Sequence, residues 1–186
     1  MSINIIRLND ASKKYLKTTF FLTVNENELV LINGKNGSGK STLIKMILGF
    51  IKPDSGEVNV NTRKIAYLPE KVNLPNHLKV LDYLLMISKL KKTNIPFDYL
   101  HKFEIPTDFT IKKLSKGNKQ KVAIISAIMG KEKLLLLDEP LSGLDKKSQN
   151  ILRTIIKNEK RNKTIIISTH KPTLFRKIAD FEYLIC

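Results

Sequence analysis

The chain has 186 residues, of which 33 are basic and 17 acidic, and its formal net charge is +16. Hydrophobic residues make up 42%, which is enough to bury the core of one domain and excludes wholesale disorder. The single cysteine, Cys186, excludes an internal disulfide and a cysteine-based zinc site, so we expect a reducing compartment.

The excess of positive charge has two interpretations. It suits nucleic acid, an anionic membrane surface or a phosphorylated ligand as a partner, or it reflects a lysine-rich composition. Lysine outnumbers arginine 28 to 5, whereas a surface that grips phosphates or base edges is expected to use more arginine. This favours the compositional interpretation.

The first part of the chain predicts strands and one helix. Short β-rich runs at 3–8, 18–24 and 28–32 alternate with turns and predict three strands. From Ser41 onward the apolar residues fall on one helical face, and Gly49 and Pro53 end that helix. Two more short strands are predicted, at 57–60 and 64–68.

Residues 71–113 have a different pattern. Leucines and an isoleucine recur at helical spacing with lysines between them, and Pro96 and Pro106 break the rest of this segment into shorter pieces. We interpret this segment as a small helical lobe inserted into a single domain that spans 1–186. The core of the domain then consists of 1–70 and 114–186.

The last part of the chain alternates helices with strands that are apolar throughout. Such strands indicate a parallel sheet covered on both faces. The predicted elements are a helix at 118–130, a strand at Leu134–Leu137, a helix at 146–161, a strand at Thr164–Ser168 and a helix at 172–180. No signal peptide and no apolar run of about 18 residues, the length that a membrane helix needs, is found, so we expect a soluble chain.

A glycine-rich loop stands between the third predicted strand and the first predicted helix. Residues 34–41 read GKNGSGKS and fit the pattern G-x-x-x-x-G-K-[ST]. Glycines let the backbone wrap closely around phosphate oxygens, and the start of the helix adds partial positive charge. We predict that Lys40 reaches the β- and γ-phosphates of a nucleotide and that the Ser41 hydroxyl ligates Mg²⁺.

Two adjacent carboxylates follow the apolar strand Leu134–Leu137. Phosphoryl transfer to water needs a metal near the phosphates and a group that orients the attacking water. Asp138 suits the metal role, directly or through water, and Glu139 suits the water-positioning role. The alternative is an acidic strand end that caps the next helix, and the glycine-rich loop makes that alternative weaker.

Two shorter patterns also lie near predicted strand and helix ends. A serine and a glycine in Leu114–Asn118 open a helix and could form a second anion site, or an ordinary helix N-cap. His170 follows a buried strand of the sheet that carries Asp138, where ligands collect in open α/β folds. The alternative for His170 is a structural histidine.

The motifs together resemble the nucleotide-binding domain of ATP-binding cassette (ABC) proteins over essentially the whole chain. The family's motifs appear in order: Walker A at 34–41, the Q-loop position in 67–70, the signature at 114–118, Walker B at 134–138 followed by Glu139, the D-loop at 142–145 and the switch histidine at His170. The resemblance implies an α/β P-loop NTPase fold. This fold has a mostly parallel central sheet, an N-terminal antiparallel β part and an inserted small helical lobe.

The resemblance also implies the residues that bind ATP and Mg²⁺. Tyr15 stands where the family stacks the adenine ring. The implied ATP-binding residues are Tyr15, Gly34, Lys35, Asn36, Gly37, Ser38, Gly39, Lys40, Ser41 and Thr42. The implied Mg²⁺ ligands are Ser41, Glu70 and Asp138, and the implied catalytic residues are Glu139 and His170.

In the family, two such domains form a head-to-tail dimer. Each ATP then lies between the glycine-rich loop of one subunit and the signature of the other. The resemblance therefore implies that Ser115, Gly117 and Asn118 act in trans and that Asp145 lies at the dimer interface.

The chain departs from the usual family pattern at two motifs. Its signature reads LSKGN instead of LSGGQ, so Lys116 adds a charge and Asn118 has a shorter amide. Glu70 replaces the Q-loop glutamine, and its carboxylate is still a hard oxygen ligand for Mg²⁺. The sequence Tyr67-Leu68-Pro69-Glu70 is similar to that of ATPases serving ABC-2-type exporters.

From this resemblance we expect an ATP-hydrolysing subunit of an ABC transporter, with export as its direction. Its cofactors would be ATP and Mg²⁺, and its partners a second ATPase subunit and separate transmembrane permease subunits. It would lie on the cytoplasmic, inner face of the membrane, and no nucleic acid is expected. The alternatives are a nucleic-acid-associated ABC ATPase, prompted by the charge, and a weakly hydrolysing regulatory subunit, prompted by LSKGN and Glu70.

Overall fold

The computed structural model of the chain describes residues 3–185, and its strands form two sheets. The antiparallel sheet has the order β2-β1-β4 and consists of β1 (Asn4–Ser12), β2 (Thr19–Asn25) and β4 (Ser55–Val60). The second sheet has the order β5-β6-β7-β3-β8, and each adjacent pair is parallel. Its strands are β3 (Leu29–Gly34), β5 (Ile65–Leu68), β6 (Leu134–Asp138), β7 (Thr164–Thr169) and β8 (Phe181–Ile185).

Six α-helices and one short 3-10 turn connect the strands within the described residues. The helices are α1 (Lys40–Ile47), α2 (Val80–Lys91), α3 (Phe97–Lys102), α4 (Lys116–Ile128), α5 (Lys146–Glu159) and α6 (Thr173–Arg176), and the 3-10 turn is Ile111–Lys113. Strands followed by helices that return to a parallel neighbour are the α/β arrangement predicted from the sequence.

The central strands β6, β7 and β3 are buried on both faces, which explains their apolar runs, whereas the edge strand β8 is only partly buried. Successive side chains of a strand point to opposite faces. Accordingly, Leu135 and Leu137 of β6 belong to one hydrophobic cluster, which α4, α5 and the helical lobe cover. Leu134 and Leu136 belong to a second cluster, which α1 and the antiparallel sheet cover.

The helical lobe at 71–113 contains α2, α3 and the 3-10 turn. A single antiparallel bridge between Lys79 and Thr110 joins its two ends. Buried lobe residues such as Leu84 and Phe103 share one hydrophobic cluster with the parallel sheet. The lobe therefore packs on the core through a continuous apolar contact, and its boundaries stay a prediction.

The predicted fold class is confirmed: an α/β domain with a parallel sheet and an N-terminal antiparallel sheet. The last helix differs from the prediction, since it covers only Thr173–Arg176 instead of 172–180. The backbone N–H of Asp180 donates to the carbonyl of Leu29 and its carboxylate accepts from the N–H of Leu29, so the chain joins the sheet edge instead of continuing the helix. Cys186 lies outside the described residues.

Candidate functional site

The carboxyl ends of β3, β6 and β7 lie side by side, because β7 lies between β6 and β3. Ligands of open α/β sheets bind at this edge. A cleft of about 880 Å³ opens there. Its lining comes from most of the predicted motifs: Tyr15, Leu16, Asn36, Gly37, Gly39, Lys40, Ser41, Thr42, Glu70, Asp138, Glu139, Leu141, Ser142, Gly143, Leu144, Gln149, Thr169, His170 and Lys171.

The glycine-rich loop between β3 and α1 has a backbone that requires glycine at two positions. Gly37 and Gly39 have φ angles of 80° and 107°, in the region that L side chains rarely adopt. Gly39 directly precedes α1, so the N–H groups at the helix start face the cleft without an acidic side chain in the first turn. This is the local geometry that binds phosphate.

Lys40 is the first residue of α1, and its side chain extends back over the loop. Its side-chain Nζ donates to the carbonyl of Gly34 at 2.7 Å and to that of Lys35 at 3.0 Å. The residue is 7% exposed. The ammonium group is therefore held against the loop carbonyls, and Lys40 lines the cleft.

Asp138 and Ser41 form a polar pair that lines the same cleft. The Ser41 hydroxyl donates to Oδ2 of Asp138 at 3.1 Å, and the Ser168 hydroxyl donates to Oδ1. The pKa of Tyr67 is raised, first by burial and then by the negative charges of Asp138 and Glu70, so both carboxylates act on the same region.

These oxygen atoms suit Mg²⁺ as a donor set. Mg²⁺ prefers hard oxygen ligands and commonly uses one or two carboxylates together with substrate phosphates. The hydroxyl of Ser41 and the carboxylates of Asp138 and Glu70 line the cleft beside the phosphate loop. No group of three or more Asp, Glu, His or Cys side chains that could hold a metal occurs among residues 3–185.

Glu139 and His170 form a paired unit at the ends of β6 and β7. The backbone N–H of His170 donates to Oε1 of Glu139 at 3.0 Å, and Nδ1 of His170 lies 2.9 Å from Oε2. Glu139 has a φ angle of 47°, which is unusual for a residue other than glycine, and its N–H donates to the carbonyl of Ser168 at 3.0 Å. Strained backbone of this kind clusters at functional sites.

The signature residues lie at the start of α4, and within residues 3–185 the lining of the cleft does not include them. The Ser115 hydroxyl accepts from the N–H of Asn118 at 3.2 Å and so caps the helix. A side chain on Gly117 would contact the carbonyl of Gly143 at 2.7 Å. The helix start therefore abuts the loop after β6, while Ser115 itself is exposed.

Asp145 likewise does not line the cleft in the described part of the chain. It caps α5, since its Oδ1 accepts from the N–H of Ser148 at 2.7 Å. Hydrogen bonds from Ser148 hold the pKa of Asp145 below its ordinary value. Its predicted place at a dimer interface stays a prediction.

Sequence reasoning missed several residues that shape the cleft. Thr169 precedes His170, and its hydroxyl accepts from the N–H of Lys171 at 3.0 Å. Gln149 donates to the carbonyl of Leu144 at 2.8 Å and fixes the loop after β6. Thr169 could have been found from its place at a strand end, whereas Gln149 carries no pattern that marks it.

The comparisons with known proteins agree with this geometry. The family model for the ABC transporter matches residues 18–142. The chain belongs to the ABC transporter family. Like its relatives, it is an ATP-binding subunit of the ABC class, with the ATPase activity that this class implies.

Individual relatives and structures show how far the likeness extends. The uncharacterized ABC transporter ATP-binding protein MJ1023 of Methanocaldococcus jannaschii is 40% identical, over 90% of this chain and 67% of its own length. The zinc import ATP-binding protein ZnuC of Rickettsia bellii is 33% identical, over 98% of this chain and 82% of its own. A solved ATP-binding subunit of an ABC transporter is 26% identical, with a TM-score of 0.84, over 97% of this chain and 85% of that chain.

ABC ATPases of this kind work with transmembrane permeases. Within residues 3–185, every helix is too short or too polar to span a bilayer.

Proposed function

We propose that this ABC ATPase hydrolyses Mg²⁺-bound ATP in the cleft and thereby drives a separate permease. The observation that carries the proposal is the convergence of polar groups at one sheet edge. The phosphate loop with Lys40, the Ser41–Asp138 pair and the Glu139–His170 pair all line one cleft. Phosphoryl transfer needs these parts together, since its catalysis consists mainly of positioning and charge stabilisation.

Each group has a distinct task in the proposed reaction. Lys40 and the loop N–H groups hold the phosphates. Mg²⁺ at Ser41, Asp138 and Glu70 would offset the charge that develops on the phosphate oxygens. Glu139 orients the attacking water and accepts its proton, and His170 fixes the Glu139 carboxylate while lying close enough to the cleft to contact the terminal phosphate.

We further propose that the active form is a head-to-tail dimer. The support is that the exposed Ser115 lies outside the cleft of its own chain, although the N-terminus of α4 is built to meet an anion. In the dimer, Ser115, Gly117 and Asn118 complete the cleft of the partner, and Asp145 lies at the interface. ATP then favours the closed dimer, and hydrolysis reopens it.

A mixing experiment tests this arrangement. Lys40→Ala removes the loop cation, and Ser115→Arg blocks the signature, so each variant alone should be inactive. An equal mixture should recover about a quarter of the wild-type ATPase rate, because half of the dimers are mixed and each contains one intact composite site.

The matched control mixes Lys40→Ala with Glu139→Gln. Both changes lie on the loop side of the site, so no mixed dimer contains an intact site and the mixture should stay inactive. A Lys40→Ala and Ser115→Arg mixture that recovers no activity, although both chains are folded, contradicts the head-to-tail dimer. Retained ATP binding by Lys40→Ala contradicts the assignment of the phosphate loop.

The proposal also includes a direction of transport. The similarity of Tyr67-Leu68-Pro69-Glu70 to exporter ATPases supports export. The zinc import ATP-binding protein from Rickettsia bellii supports import as the second candidate. In either case, we place the chain on the inner face of the membrane, where Glu70 and the lobe at 71–113 transmit closure to the permease.

The direction can be measured in inside-out vesicles that contain the chain and the permease with which it co-purifies. ATP added outside reaches the ATPase directly. Accumulation of substrate inside the vesicles demonstrates export, and ATP-dependent loss of preloaded substrate demonstrates import and overturns the export proposal.

A further inference from the structure

Tyr15 lies on a short turn that is fixed at both of its ends. The N–H of Leu16 donates to the carbonyl of Lys13 at 2.8 Å and closes the turn. At the end of the turn, the Leu16 side chain packs against Gly39 of the phosphate loop. A Cβ atom added to Gly39 would lie 3.1 Å from the Leu16 side chain. The ring of Tyr15 is 66% exposed and lines the cleft.

Both carboxylate oxygens of Asp54 accept hydrogen bonds from the first residues of the same turn. Oδ1 accepts from Nζ of Lys13 at 2.6 Å, and Oδ2 accepts from the backbone N–H of Lys14 at 2.8 Å. Nζ of Lys13 also donates to the carbonyl of Lys52 at 3.2 Å. One carboxylate therefore restrains the two residues that directly precede Tyr15.

The restrained lysine also lies beside the aromatic ring. Nζ of Lys13 is 5.8 Å from the ring centroid of Tyr15, within the range of a cation–π contact. The Lys13 hydrogen bond, followed by that of the Lys14 N–H, lowers the pKa of Asp54, so the carboxylate stays charged at neutral pH.

The segment that carries Asp54 is itself tied to the end of β1. The N–H of Asp54 donates to the carbonyl of Ser12 at 2.8 Å, and the hydroxyls of Ser12 and Ser55 lie 2.7 Å apart. The β1–β4 pairing has a register shift between Asn9 and Ser12, and a Cβ atom on Gly56 of β4 would clash with the carbonyl oxygen of Asp10. The segment that carries Asp54 is therefore held rigidly against the end of β1.

We propose that Asp54 is a positioning residue that presents Tyr15 to the nucleotide base, with Lys13 as the group through which it acts on the ring. This inference rests on the proposed ATPase function and on the stacking role that the family resemblance implies for Tyr15. The chemical class that the Tyr15 turn recognises is the planar base of a nucleoside triphosphate, while the loop at 34–41 binds the phosphates. Asp54 therefore controls affinity for the base without touching the phosphate site.

Two ligands separate these contributions: ATP, and inorganic tripolyphosphate, which has no base. Binding of each is measured by calorimetry to the wild-type chain and to Tyr15→Ala, Asp54→Ala, Asp54→Asn and Lys13→Ala. Loss of base stacking lowers affinity by about tenfold, so Tyr15→Ala and Asp54→Ala should weaken ATP binding to about that extent. Tripolyphosphate binding should not change.

The conservative variant and a double variant test the mechanism. Asp54→Asn can still accept from Lys14 but loses its charge pair with Lys13, so its effect should lie between wild type and Asp54→Ala. Adding Asp54→Ala to Tyr15→Ala should cause no further loss of ATP affinity, since the ring is already absent. Glu57→Gln removes an exposed carboxylate of β4 that makes no hydrogen bond or ion pair within residues 3–185, and it should leave both ligands unaffected.

The outcomes distinguish this inference from the function on which it rests. If Tyr15→Ala weakens ATP binding and Asp54→Ala does not, the positioning role is overturned while base stacking stands. If Asp54→Ala weakens ATP and tripolyphosphate equally, Asp54 supports the whole loop and the inference is wrong. If Tyr15→Ala leaves ATP affinity unchanged, the stacking role and this inference fall together.

Discussion

The cleft and the start of α4 are built in different ways. In the cleft, residues at or just after the ends of β3, β6 and β7 meet because a buried parallel sheet brings three distant strand ends to one edge. At the start of α4, by contrast, Ser115, Gly117 and Asn118 lie within one helical turn and depend mainly on local capping.

The polar groups of the two regions also differ in their partners. Within the chain, Lys40, Asp138 and Glu139 each have a hydrogen-bond partner beside the cleft. Ser115 uses its hydroxyl only for the cap among the contacts of the described residues, and it faces solvent. This difference supports the proposed dimer, in which the cleft binds ATP in a single chain and the signature acts on a second one.

The largest expected effect concerns the chemistry of the cleft. Glu139→Gln removes the proton acceptor but keeps a side chain of the same size that can still contact His170. ATP affinity should be retained, and the ATPase rate constant should fall by about 10²- to 10⁴-fold, as for loss of a general base. Single-turnover hydrolysis and equilibrium ATP binding measure the two quantities separately.

His170→Ala serves as the comparison for Glu139→Gln. His170→Ala removes the ring contact to Oε2 of Glu139 but keeps the backbone N–H bond to Oε1, so it should lower the rate constant less than Glu139→Gln does. An ATPase rate that Glu139→Gln leaves unchanged would show that another group orients the water.

A smaller effect is expected at the start of α4. Ser115→Ala should leave ATP affinity of the isolated chain unchanged and lower the ATPase rate, because in the proposed dimer the signature acts on the cleft of the partner. Loss of the cap should also reduce the free energy of unfolding by about 1 kcal/mol. Urea unfolding and steady-state ATPase assays measure these two consequences.

Ser115→Asn separates the two roles of the hydroxyl. Asparagine is a good N-cap, so stability should return to the wild-type level while the ATPase rate stays low. If the rate recovers together with stability, Ser115 acts only as a cap and the contrast between the two regions is lost.

Many of the residues that line the cleft could be singled out from the sequence because they stand in short motifs with fixed local geometry. The loop at 34–41 needs glycine where φ is positive, and Asp138 and Glu139 follow a strand that is apolar throughout. Such patterns are set by neighbouring residues, so they are visible without tertiary structure. They also located the start of α4, although the helix begins at Lys116 instead of 118.

The hydrogen bonds that hold the cleft residues in place could not be predicted, because each joins residues far apart in the chain. Asp54 contacts Lys13, and Gln120 donates to the carbonyl of Pro140 at 3.3 Å. A lone polar residue in a loop has no periodicity that reveals its partner. The short length of α6 also results from a long-range contact. The predicted helix ends early because Asp180 forms hydrogen bonds with Leu29.

The smallest expected effect concerns another set of hydrogen bonds beside the cleft. Glu182 of β8 accepts from Nδ2 of Asn33 at 2.8 Å and from Nε of Arg176 at 2.9 Å, directly beside the start of the phosphate loop. The Arg176 hydrogen bond, with a smaller contribution from Asn33, lowers the pKa of Glu182. Glu182→Gln should therefore reduce the free energy of unfolding by about 1 kcal/mol at pH 7.

The sign of the pH dependence is set by that lowered pKa. A carboxyl that is more acidic when folded stabilises the fold above the unfolded pKa of about 4.3, and this contribution is lost as the pH falls through the folded pKa. The stability difference between wild type and Glu182→Gln, about 1 kcal/mol at neutral pH, should thus shrink as the pH falls below about 5 in urea unfolding. Arg176→Ala should weaken the same pH dependence. A difference that stays constant with pH would mean that Glu182 supports the loop by packing alone, so that this side of the cleft, like the start of α4, relies on contacts that carry no charge.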